Sequence, residues 1–264
     1  AQNVSGNTEN GTVEGTENGT VEGNENGSNE NETFAPAAEN SWLQPVKLVG
    51  NGQKAYIYNV ATKTFITGKT ATVKNIKNAD VWTINGDKTR CFTCDNETKD
   101  RLFLEYSITW HPLVWYIEVS DSRDATNFTI VEGSTENSYK LTKNRNKLFG
   151  GTETAYFSVS GEKYVASLEP SIDNDWYFIS TDQKDVYTEY TTLYSEAASL
   201  LKNEKLNDQK SVLDAIKSAL QETAKGTFDT STSDINTLKT TIAAAKKAIE
   251  DITNGISNTS DNLK

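Results

Sequence analysis

The sequence predicts β plus α in separate domains. A barrel or sandwich of short strands occupies 41–184, helices occupy 185–264, and a disordered acidic tail occupies 1–40. Three observations carry this. Of 25 aromatic residues, 20 lie in 41–184, in short runs rich in Tyr, Phe, Val and Ile that alternate with Asn, Asp, Gly and Lys. Runs of that kind at short, regular spacing read as strands of a sandwich or barrel. From Val186 the apolar spacing changes to steps of three and four, the period of one helix face. Residues 1–40 hold 8 Asp and Glu and no Lys or Arg.

The tail is low in complexity. An eight-residue unit, Asn10-Gly-Thr-Val-Glu-Gly-Thr-Glu, returns from Asn18 and again, degraded, from Asn26. Val4, Val13 and Val21 are the large apolar residues of 1–33. They bury too little surface to offset the entropy of ordering, so this stretch is expected to be disordered and to act as a spacer. The sequons at Asn10, Asn18, Asn26, Asn31 and Asn96 accept glycans only in a eukaryotic secretory pathway. An Asn- and Thr-rich chain also makes such triplets by chance. The chain holds no Met, and a small residue stands at Ala1. The expectation is therefore an exported protein, extracellular or at the cell surface, after signal-peptide cleavage. An arbitrary boundary accounts for the same start.

Strand-like runs fall at 55–60, 64–68, 81–84, 102–106, 114–119, 127–131, 155–159, 163–168 and 175–179, and Cys91-Phe-Thr-Cys94 is strand-like too. Three helical stripes follow: Val186, Tyr190, Leu193, Ala197 and Leu200; then Val212, Ile216, Ala219 and Thr223; then Ile235, Leu238, Ile242, Ala245, Ile249 and Ile252. Asn207 or Asp208 is suited to cap the second helix. Gly226 sits where a left-handed C-terminal residue is wanted. Ser231 with Asp234 resembles a capping box for the third helix. Three short amphipathic helices joined by tight turns predict a small bundle. Their stripes are expected to cover each other or the β domain.

Charge and composition exclude several functions. The net charge of −11 is a tail property, because 41–184 holds 17 acidic and 17 basic residues and 185–264 holds 12 and 9. A nucleic-acid binder would carry a basic stripe. No apolar run approaches the ~18 residues of a membrane span. One His and two Cys leave nothing from which to build a His-based triad or a multi-ligand zinc site. There is no phosphate-binding Gly loop and no nucleophile elbow, and no pair of carboxylates is singled out for glycoside hydrolysis. A non-enzymatic protein without cofactors is expected, with an extracellular hydrolase held in reserve. The CxxC at Cys91 and Cys94 lies in a strand, where residues three apart face opposite sides, and not at the helix N-terminus that redox chemistry needs. Two structural cysteines or a local disulfide are the readings kept. Asp173-Asn174-Asp175 offers too few regular oxygen ligands for a calcium loop and reads as a turn.

Val81-Trp-Thr-Ile, Asn127-Phe-Thr-Ile and Asp175-Trp-Tyr-Phe share a pattern in which an aromatic and a second apolar residue two positions on point to one face. Trp82, Phe128 and Trp176 stand 46 and 48 residues apart. Three units of this length tile 41–184. On these residues the chain resembles a ricin-type β-trefoil, in which three four-stranded repeats, each ending in an aromatic strand, surround a pseudo-threefold axis. The first repeat, from Ala55 to Trp82, also resembles trefoil-like modules of secreted Bacteroidetes-type bacterial proteins. The helical part is similar to small three-helix modules that follow bacterial surface-protein domains. The rival fold is an immunoglobulin-like sandwich, whose Cys–Trp–Cys pattern is missing here.

The resemblance implies a carbohydrate-binding, lectin-like module whose partner is a glycan. Trp110-His111-Pro112 follows a strand. Trp110 there either covers the barrel end or offers a flat face to a sugar, with His111 adding a hydrogen bond. Asn59 occupies the place where trefoil lectins put a polar sugar ligand, and it equally suits a hairpin turn. The expected ligand-binding residues are thus Trp110, His111 and Asn59. The family's sugar-binding repeats carry Gln two residues before the aromatic. Here those positions are Asp80, Thr126 and Asn174, which favours the alternative, an adhesion protein that binds a surface protein and no sugar.

Overall fold

A computed structural model describes residues 34–69, 71–108 and 113–261, with side chains to residue 255. The tail repeats of 1–33 lie outside the described residues. Among the described residues twelve strands form an antiparallel, nearly closed barrel-like sheet, followed by helices. The strands are β1 (Gln53–Asn59), β2 (Thr64–Ile66), β3 (Thr72–Val73), β4 (Trp82–Asn85), β5 (Cys91–Cys94), β6 (Arg101–Tyr106), β7 (Trp115–Ser120), β8 (Thr129–Glu132), β9 (Tyr139–Asn146), β10 (Thr152–Ser160), β11 (Lys163–Ser167) and β12 (Trp176–Ile179). Every strand-like run of the sequence has its strand. β3 is too short, and β9, Tyr-Lys-Leu-Thr-Lys-Asn-Arg-Asn, too polar, to stand out.

Six strands make a ring. β1 pairs with β4 and β12, β4 with β5, and β9 with β8 and β12. The link between β5 and β8 is an antiparallel bridge between Arg90 and Phe128, the residues just before each strand, which exchange N–H···O bonds of 2.9 and 2.8 Å. Three hairpins continue from this ring: β2–β3 from β1, β6–β7 from β5, and β10–β11 from β9.

Alternation explains the barrel core. In β4, β5 and β6 every second residue is buried, which puts Trp82, Ile84, Phe92, Cys94, Leu102 and Leu104 inside. Phe92 stacks on Phe178 at 6.0 Å and meets Phe128 edge-on at 5.6 Å. Trp82, Phe128 and Trp176, the residues of the sequence repeat, are all fully buried.

β1 breaks the alternation, since Ala55 to Asn59 are all buried. Ala55 and Ile57 face the barrel core, while Tyr56 and Tyr58 join a second core built with the helices. That core is shared by α1 (Glu39–Trp42), α2 (Asp182–Leu200), α3 (Lys210–Thr223) and α4 (Ser231–Asp261). The segment before the barrel straps it down. The backbone of Ala37 donates to the Tyr190 hydroxyl and accepts from the Tyr187 hydroxyl, and the Gln183 amide makes two bonds to the backbone of Gln44. Residues 34–40, grouped with the tail by composition, therefore belong to the folded unit, and Ala37 is buried there.

The helices differ from the sequence reading in detail. α2 buries Tyr187 and Tyr194 besides Tyr190 and Ala197, while Val186, Leu193 and Leu200 are only partly covered. Tyrosine wins these positions because its hydroxyl finds a carbonyl: Tyr190 bonds Thr223 O and Tyr194 bonds Leu220 O. α3 starts at Lys210, and neither Asn207 nor Asp208 caps it. Gly226 is not left-handed; a side chain there would strike the Asp234 carboxylate. The turn into α4 is capped four residues earlier than expected, by Thr227 and Thr230 in a reciprocal box, and Asp234 accepts from Thr230.

The α4 stripe buries Ile235, Leu238, Ile242 and Ala245, with Ile249 partly covered. Ile242→Asp should place an unpaired charge there and lower stability by about 3–5 kcal/mol. Urea denaturation measures it, and a midpoint equal to the parent's would mean that the stripe is not a core.

Candidate functional site

The expected sugar site falls in the connection between β6 and β7, at the turn end of their hairpin. Trp110 and His111 themselves lie outside the described residues. What flanks them is described. β6 ends at Tyr106 and β7 begins at Trp115, a cross-strand pair whose rings meet edge-on at 5.6 Å. Tyr106 and Trp115 share the register of Leu104 and Ile117, but they stand at the end of the strands and are only half-buried.

The β9–β10 hairpin completes the site. Arg145 of β9 lies over the Tyr106 ring, its guanidinium carbon 3.5 Å from the ring centroid. The Glu153 carboxylate of β10 accepts from Arg145 Nε at 2.7 Å and from Trp115 Nε1 at 2.9 Å. Those hydrogen bonds, Arg145 first and then Trp115, hold the Glu153 carboxyl below its usual range. Lys143 pairs with Glu105 at 2.9 Å across the same two strands. Against β11 these groups form a groove of about 550 Å³, floored by Trp115, Arg145, Glu153 and Tyr164 and rimmed by Leu113, Val114 and Leu168.

A second hollow lies on the outer face of the hairpin. Phe103 and Tyr116 meet edge-on at 6.2 Å, and Arg123 stands 5.3 and 5.8 Å from their centroids. The Arg123 guanidinium also bonds Glu118 at 3.2 Å. The hairpin thus displays aromatic faces on both sides, each with a guanidinium laid against it. Aromatic faces with a few fixed polar groups suit a ligand that has a flat apolar side and hydroxyls at its edge.

Asn59 is elsewhere. It is fully buried, donates to Asp173 O at 2.8 Å, and accepts from the backbone and hydroxyl of Thr62 at 2.9 and 3.0 Å. These bonds form the β1–β2 turn, in which Lys63 takes a left-handed φ of 57°. Asn59 is therefore not brought together with the residues that flank Trp110 and His111.

The positions two before each repeat aromatic also turn inward. Asp80 accepts from Gly68 N at 2.8 Å. Thr126 accepts from Leu104 N at 2.8 Å and donates to Leu104 O at 3.1 Å. Asn174 accepts from Ser171 N at 2.9 Å and donates to Glu169 O at 3.1 Å. Each ties the strand end to its own unit's backbone.

Cys91 and Cys94 are both free thiols. Burial, with Asp80 adding to it, pushes the Cys94 thiol up to about 12, the reverse of a reactive thiolate. Among the described residues no group of three His, Cys, Asp or Glu side chains is placed to hold a metal ion. No described helix is long and apolar enough to cross a membrane.

Tyr106 and Trp115 stand inside strand-like runs and read there as core. Arg145 and Glu153 come from another hairpin, and no local signal joins them to the first. No protein-family profile, no curated protein and no solved structure matches this chain.

Proposed function

We propose that the protein is a non-catalytic carbohydrate-binding module, secreted or surface-attached, built on a β-trefoil-like barrel followed by a three-helix bundle. The observation that carries the binding role is the aromatic groove at the β6–β7 end, built from Tyr106, Trp115, Arg145 and Glu153, two of which, Tyr106 and Trp115, bracket Trp110 and His111 in the sequence. Sugar rings stack on such faces, and the Glu153 and Arg145 heads are fixed in place to meet hydroxyls. Support for the trefoil comes from the pairing. Ala55 faces Trp82, Arg90 faces Phe128 and Tyr139 faces Trp176, so the opening strand of each unit meets its closing aromatic strand in the same way three times. Support for the bundle comes from α2, α3 and α4, each of which touches the other two. Export rests on composition alone: an acidic polar tail and few Cys or His.

Affinity should be weak, about −4 kcal/mol or near-millimolar, because Asp80, Thr126 and Asn174 serve the fold and leave the stacking surface to act with few partners. A glycan array followed by calorimetric titration of the best ligand tests this. Trp110→Ala should abolish the heat signal, and Tyr106→Ala should weaken it. Undiminished binding by both variants would place the site elsewhere.

The second reading is adhesion to a surface protein without sugar binding. It is favoured by the enclosure of Asn59 and the inward turn of the three repeat positions. An array blank at high protein concentration would select it.

A further inference from the structure

Large apolar side chains protrude at the same end of the barrel. The β9–β10 turn carries Leu148 and Phe149, both almost completely exposed. Ile108, Leu113 and Val114, at the end of the neighbouring hairpin, are also exposed. β6 and β9 run toward this end side by side, tied by Lys143 to Glu105 and by Arg145 against Tyr106. The two groups of side chains therefore project in one direction.

We propose that this end of the barrel is a docking surface for an anionic phospholipid bilayer, with Phe149 and Leu148 as the residues that enter its interface. Three observations favour a lipid surface over a protein. The side chains stand on convex turns, whereas protein partners engage patches of about 20–30 residues a side. Two backbone bonds close the Leu148–Phe149 turn: Gly150 N donates to Lys147 O at 3.1 Å, and Lys147 N to Gly151 O at 3.0 Å. Gly150 and Gly151 adopt φ of 89° and 84°, which makes this tight closure possible. A turn so closed carries fewer unpaired backbone groups into an interface than an open loop would, which lowers the cost of entry. Charge is the third observation. In a chain of net charge −11, the strands behind the tips carry Lys143, Arg145 and Lys147 against Glu105 and Glu153, a local excess of one positive charge. Apolar tips backed by basic residues fit anionic headgroups, by the same combination that holds interfacial helices.

The surface is independent of the glycan reading, since the vesicles that test it carry no sugar. The full chain is sedimented with sucrose-loaded vesicles of phosphatidylcholine alone and of phosphatidylcholine with phosphatidylglycerol. Binding to the anionic vesicles is expected, reduced by salt and weaker on phosphatidylcholine alone. The double variant Leu148→Asp, Phe149→Asp should bind about tenfold less tightly, or worse. It should also melt like the parent, because neither side chain is in a core. Lys147→Glu should weaken binding to anionic vesicles only. No sedimentation at millimolar lipid, or equal sedimentation of the double variant, would overturn the proposal. So would a dimer in lipid-free equilibrium sedimentation that the double variant dissolves, since the tips would then meet a second copy.

Discussion

Asp175→Asn should destabilise the fold by about 3–5 kcal/mol, the cost of leaving one partner of a buried ion pair alone. Asp175 is fully buried at the start of β12, where its carboxylate contacts the Lys140 ammonium and accepts from Ser134 N at 3.1 Å, Thr135 N at 2.8 Å and Thr135 Oγ1 at 2.9 Å. Lys140, itself buried, also donates to Ser171 O at 2.5 Å and Asn174 Oδ1 at 3.0 Å. Every group in the cluster has a partner, and asparagine keeps the shape while removing the charge. The variant strands the ammonium in β9. Urea denaturation at neutral pH measures the loss, and a loss under about 1 kcal/mol would show that the ammonium finds water instead.

The same carboxyl has a pH signature. Burial raises its pKa, but the hydrogen bonds from Lys140, Ser134 and Thr135 outweigh burial and leave it below the ordinary value. A folded pKa below the unfolded one means stability that is complete above the unfolded value, about 3.9. It is lost as pH falls from there through the folded value. The parent should therefore lose stability more steeply than Asp175→Asn below about pH 4. Parallel curves would mean that other carboxylates dominate acid unfolding. The double variant Lys140→Met, Asp175→Asn should recover part of the loss, since it removes the stranded ammonium.

The barrel was legible in the sequence because strands alternate. Val81-Trp-Thr-Ile, with Trp82 and Ile84 on one face, needs no tertiary information to be read as half-buried. The repeat of Trp82, Phe128 and Trp176 was legible for the same reason, since each sits at the start of a ring strand and points inward. β9 was not. Its Lys140 is buried by an ion pair with Asp175, a partner 35 residues on, and a buried lysine reads locally as a surface residue. The helices after the barrel were legible in period but not in facing, and α1 before it was not legible at all. Tyr187 and Tyr194 are buried because carbonyls of Ala37 and Leu220 meet their hydroxyls, which no local pattern reveals. The groove at the barrel end was not legible. Tyr106 and Trp115 stand in runs that read as core, and Arg145 and Glu153 are brought to them by hairpin pairing alone. Asn59 is the instructive opposite case. Its position suited both a ligand and a turn, and the geometry gives its amide to the turn.

Trp42→Ala should have an effect of similar size to Asp175→Asn and a different form. Trp42 is almost wholly buried where the strap, the outer face of the barrel and the helices meet. Its ring stacks on Tyr190 at 4.5 Å and meets Tyr187 edge-on at 5.9 Å. Its indole N–H has no hydrogen-bond partner among the described residues, so what it contributes there is contact area and ring geometry. Deleting it leaves a cavity in a shared core, worth about 3–5 kcal/mol. The cavity opens in the core that the barrel's outer face shares with the helices, and leaves the barrel's own interior, to which Trp42 does not belong, intact. The parent should unfold in one transition, with ellipticity at 222 nm following the helices and tryptophan emission, to which Trp82, Trp115 and Trp176 of the barrel contribute, following the barrel. In the variant the helical signal should be lost at lower urea than the barrel emission. Coincident transitions, shifted together, would mean that Tyr56, Tyr58 and Phe65 bind the two layers firmly enough without the strap. An unshifted midpoint would mean that the strap does not hold the helices at all.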